Sequence, residues 1–81
     1  MRMTEREFHG AQLRALRQAR GVRMADLQRA VGCHYRHLTQ FEYGKRHISI
    51  ELAHRIARAL TNLSGEAVSI ADFSTETEEA A

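Results

Sequence analysis

The chain has 81 residues, 43% apolar and 6% aromatic, with no Trp, no Pro and a single Cys. That length supports one small domain without a sizeable buried catalytic cleft, and one cysteine excludes an internal disulfide framework and fits a reducing compartment. Charge is uneven: residues 1–60 hold all twelve Lys and Arg against five acids, a net +7, whereas residues 61–81 hold five acids and no Lys or Arg, a net −5.

A basic body with an acidic end suits a polyanion partner, although solvated helix surface explains the same charges equally well. Helical periodicity runs through most of the chain. "TEREFHGAQLRALRQARG" places Thr4 and Glu7 at capping-box spacing and predicts a helix from residue 4. Its apolar positions are Phe8, Ala11, Ala15 and Leu16, with Leu13 beside them, and Gly21 closes it. "MADLQRAV" predicts a short second helix with Met24, Leu27 and Val31 on one face, stopped by Gly32. A third helix is expected from about Tyr35 to Tyr43, with Leu38 and Phe41 inward and Gly44 at its end. Ser49 is the expected N-cap of a fourth, whose stripe is Ile50, Ala53, Ile56, Ala57 and Leu60. Ser69 and Asp72 then stand at capping spacing before a short helix, and "STETEEAA" reads as an acidic disordered tail. No strand is clear, though "AVSI" could serve as an edge strand across a dimer.

The expected fold is therefore all-α, a compact bundle of four to five short helices. Residues 1–73 form the domain, a helix-turn-helix occupies about 24–43, and 74–81 form the tail. With no run of 18 apolar residues and no signal-peptide stretch in "MRMTEREFHG", a cytoplasmic protein with no membrane partner is expected.

Several pieces stand in register: Leu13-Arg14, Leu16-Arg17, Gly21, Leu27, Gly32, Glu42-Tyr43-Gly44-Lys45-Arg46 and Ile56-Ala57-Arg58-Ala59-Leu60. Together they resemble the Xre-type, or lambdoid phage repressor and Cro-like, helix-turn-helix family over roughly residues 8–63. The resemblance implies a lambda repressor-like DNA-binding domain, a DNA-binding role and a buried Arg17–Glu42 ion pair that is structural. It also implies base and backbone contacts from Tyr35 and Arg36 at the start of the third helix. Gln40 follows one turn later on the side of Arg36. Arg36 suits guanine O6 and N7, Gln40 suits adenine N6 and N7, and His37 suits a base edge or a phosphate. Tyr43, Lys45 and Arg46 suit phosphates, which set register and affinity without reading sequence. Two positions depart from the family pattern. Met24 replaces the usual Gln after Arg23, which loses a cap but can reach a phosphate itself; Gln28 stands where a small residue is usual.

Cys33, His34 and His37 invite a metal reading. Cys33 is expected at an inward apolar position, His34 at an N-cap and His37 outward, so no metal and no other cofactor is expected. No nucleophile–base pair or phosphate loop points to an enzyme. The partners expected are double-stranded DNA, a second copy of the chain on that DNA, and a protein met by the acidic tail. Leu63 to Phe73, with the end of the fourth helix, offers a dimer surface through Val68, Ile70 and Phe73; the same residues could simply close the monomer's core. The function expected is a sequence-specific transcriptional regulator: a small repressor, or a Cro-like or antitoxin-like autoregulator. A protein-binding adaptor that uses the same fold without reading DNA, through Tyr35 and Tyr43, is the alternative.

Overall fold

The computed structural model describes the backbone of residues 2–80 and the side chains of residues 6–76. Along the chain run β1 (Arg2–Phe8), α1 (Gly10–Ala19), α2 (Met24–Val31), α3 (Tyr35–Glu42), α4 (Ile50–Ser64), a 3₁₀ helix (Ile70–Phe73) and β2 (Ser74–Ala80). The four helices enclose the core, and the two strands form a small antiparallel ribbon at its side.

The helix boundaries follow from local chemistry. Ser49 caps α4 by accepting the Leu52 N–H at 3.1 Å, and Gly65 ends it in the left-handed region. Gly32 ends α2 at φ 78°, a conformation that costs any residue with a Cβ. Ser69 and Asp72 form a reciprocal capping box around the 3₁₀ helix. The core gathers Leu13, Leu27, Leu38, Phe41, Ile56, Leu60 and Phe73, each at most 2% exposed. Each such side chain contributes about 1.5–3 kcal/mol relative to leaving it in water.

Four expectations need correction. The first helix begins at Gly10, since residues 2–8 form a strand, and the Thr4/Glu7 capping box does not exist. The acidic segment read as a disordered tail is the partner strand, running from Arg2↔Ala80 to Phe8↔Ser74; its final residue, Ala81, lies outside the described residues. Pairing is extended by the His9 N–H, which donates to the Phe73 carbonyl at 2.8 Å. It is anchored by Phe8 against Phe73 at a ring separation of 6.2 Å and by Arg6, which bonds Ser74 Oγ at 2.8 Å and Glu76 at 3.2 Å. Ala11 and Ala15 face solvent, because Leu13, Leu16 and Arg17 form the inward side of α1. Ile50 is 52% exposed at the first position of α4, whose buried set is Leu52, Ala53, Ile56, Ala57, Ala59 and Leu60.

Val68 and Phe73 go to the monomer's core, and Ile70 packs against it. "AVSI" is no strand: it leads into the 3₁₀ helix, and Thr61 Oγ1 accepts the Val68 N–H at 2.9 Å. Where α1 crosses α3 the backbones nearly touch. A Cβ on Gly10 would lie 1.7 Å from the Phe41 carbonyl oxygen, so only glycine fits there.

Candidate nucleic-acid interface

Helix α3 is positioned from both ends. At its start, His34 Nδ1 accepts the Arg36 N–H at 3.1 Å, an N-cap made by an imidazole. This fixes the first turn, where Tyr35 is 53% exposed and Arg36 is exposed. At its far end Glu42 turns inward and is 1% exposed. Arg17 meets it with two parallel bonds, Nε to Oε2 at 2.8 Å and Nη2 to Oε1 at 3.0 Å, while its Nη1 donates to the Val22 carbonyl at 2.9 Å. The Glu42 hydrogen bond holds the Arg17 guanidinium above its ordinary value, against the lowering effect of burial. All the donors and acceptors of the buried pair find partners, which lets a carboxylate sit in the core.

The remaining candidates divide by position. His37 and Gln40 are half-buried along α3, while Tyr43, Lys45 and Arg46 are exposed just beyond it. Eight residues at 1.5 Å rise make α3 about 12 Å long, so Tyr35 and Arg36 stand at one end and Tyr43 to Arg46 at the other. Arg23 is in neither group. It precedes α2 and bonds Asp26 at 3.0 Å; Arg29 bonds the same carboxylate at 2.6 Å. Those two hydrogen bonds hold the Asp26 carboxyl below its ordinary value. Among the described residues Arg14, Arg36, Lys45, Arg46, Arg55 and Arg58 form no ion pair.

Two side chains that sequence reasoning gave no such role hold the turn between α2 and α3. Arg55, from α4, donates to the Val31 carbonyl at 2.5 Å, where the carbonyls of α2 lack helical partners. Gln28 donates to the Cys33 carbonyl at 2.7 Å, so its length is used to tie the turn. A long donor facing a glycine turn was the only available hint. Cys33 itself is half-buried against the core, and burial pushes its thiol up. No group of three or more His, Cys, Asp or Glu able to hold a metal occurs among the described residues. No helix there is long and apolar enough to cross a membrane.

Comparison with known proteins agrees with this geometry. No curated protein and no solved structure matches the chain. A family model described as helix-turn-helix matches residues 13–64, from the middle of α1 to the end of α4. Two short helices joined by a tight glycine turn, braced by an Arg–Glu pair and closed by a fourth helix, account for that match: the chain belongs to the Xre-like helix-turn-helix family of DNA-binding regulators.

Proposed function

We propose that this protein is a sequence-specific transcriptional regulator, a small repressor or a Cro-like or antitoxin-like autoregulator, that reads operator DNA in the major groove as a homodimer. The observation that carries the reading is the exposed Arg36, without an ion pair among the described residues, in the first turn of a capped α3. A rigid helix start presenting a guanidinium is what bidentate recognition of guanine requires. Tyr35 and His37 flank it, and Gln40 extends the reading face toward an adenine. The length of α3, about 12 Å, equals the width of the major groove, so Tyr43, Lys45 and Arg46 at its far end suit the phosphates at the groove's edge. Arg23, tied to Asp26 through Nε, keeps its terminal nitrogens for a phosphate.

A dimer that reads two half-sites about 34–36 Å apart needs a surface other than Val68 and Phe73, which are buried; Leu63, 43% exposed beside the end of α4, remains available. A protein partner of the acidic segment would meet a strand edge at β2. The protein works in the cytoplasm, on the nucleoid.

Selection of wild-type protein and Arg36→Ala against a randomised duplex pool, with titration at two salt concentrations, tests the reading. A palindromic site should be enriched, and Arg36→Ala should weaken it by about 1–3 kcal/mol per half-site. Binding without an enriched site, or with no salt dependence, would remove the regulator reading and favour the adaptor, with Tyr35 and Tyr43 as its contact residues.

A further inference from the structure

Among the described residues four arginines are half-buried: Arg6, Arg14, Arg17 and Arg20. Three of them meet carboxylates, on Glu76, Glu42 and Glu66. Arg14 meets none among the described residues, and its guanidinium lies over the Tyr43 ring at 4.9 Å. A partly desolvated cation with only an aromatic face for company is incompletely compensated.

It lines a cleft of about 410 Å³ between the end of β1, the first turn of α1 and the loop after α3. Arg46, His47 and His9 also line this cleft, the His9 ring bonded to Thr75 Oγ1 at 2.8 Å, together with Glu7, which forms no ion pair among the described residues. Glu42 lines it too, but its carboxylate is buried and Arg17 occupies both oxygens.

We propose that this cleft binds a phosphate group, held by Arg14 and Arg46 with His47 as a further donor. Two guanidiniums and the His47 imidazole offer more N–H groups than the two oxygens of a carboxylate accept, and suit the larger oxygen set of a phosphate. Such a phosphate could belong to a free phosphorylated ligand or to a DNA backbone. In the second case the cleft extends the DNA reading proposed above, adding a contact from α1 at the end of α3 opposite Arg36.

The experiment is a titration of the full chain with inorganic phosphate, followed by amide chemical shifts, with sulfate at equal ionic strength as the control. Saturable shifts should appear at Gly10, Ala11, Gly44 and His47. Arg14→Gln and Arg46→Gln should each weaken phosphate binding about tenfold, and Glu7→Gln should tighten it. Arg46→Gln, in an exposed loop, keeps the test valid if Arg14→Gln perturbs the fold. A duplex that moves the same amides and competes with phosphate assigns the group to a DNA backbone. A duplex that binds and leaves them still assigns it to a free ligand. Phosphate binding by a chain that binds no duplex leaves the cleft standing and removes the DNA reading. Shifts absent with both phosphate and duplex, or undiminished in Arg46→Gln, overturn the proposal, as does weaker binding in Glu7→Gln.

Discussion

The helical body and the terminal ribbon are built on different kinds of information. Each helix carries its own punctuation: Gly21 after α1, Gly32 after α2, Gly44 after α3, Ser49 and Gly65 around α4. The ribbon carries none. It depends on Arg2–Phe8 finding Ser74–Ala80 across nearly the whole chain, and on Phe8 finding Phe73. The body is thus locally specified and tertiary packing reinforces it, whereas the ribbon is specified only by the body that brings its strands together.

Breaking the body should therefore cost far more than removing the ribbon. Glu42→Ala leaves Arg17 half-buried without its carboxylate and should lower unfolding free energy by about 3–5 kcal/mol in urea. Phe73→Ala, which opens the place where body and ribbon meet, should cost a similar amount, about 3–5 kcal/mol. A loss under about 1 kcal/mol in either would mean that the core extends less evenly than its burial implies. Arg55→Ala should cost about 1 kcal/mol by freeing the Val31 carbonyl. It should also weaken specific DNA binding more than nonspecific binding, since the turn it ties sets the direction of α3. Ending the chain after Thr75 should cost no more than about 1 kcal/mol, because two isolated strands are marginal alone. A loss as large as that of Phe73→Ala would place the ribbon inside the cooperative unit.

The smallest effect concerns Cys33, whose thiol is raised by burial against the opposing influence of Arg55. Its contribution to stability is whole below the ordinary thiol range and is lost as pH climbs through the raised value. Alkylation at pH 8 should be slower than for a free thiol. Equal rates would mean that the turn opens readily.

These contrasts explain what was legible beforehand. The bounds of α2 and the Ser49 cap follow from residue type and spacing, whereas the Arg17–Glu42 pair was legible only through the family resemblance. The start of α1 was misread because Thr4 and Glu7 imitate a capping box, a local signal overruled by a strand partner some seventy positions away. "STETEEAA" looked unable to bury itself and does not need to: Arg6 takes Glu76, and the backbone finds its bonds in β1. Gln28 and Arg55 were opaque because a side chain's choice of a backbone carbonyl depends on how helices cross, which periodicity does not encode.

The antiparallel register of the ribbon also decides where anything fused to this domain emerges. Arg2 and Ala80 are paired residues, so their backbones are separated by about 5 Å, one strand spacing. A segment joined ahead of β1 and another joined behind β2 would leave the domain side by side, as if through one door. A linker of a few residues between those points would close the polypeptide into a ring, and the domain could then be opened at an exposed loop such as Lys45–His47 without disturbing its helices.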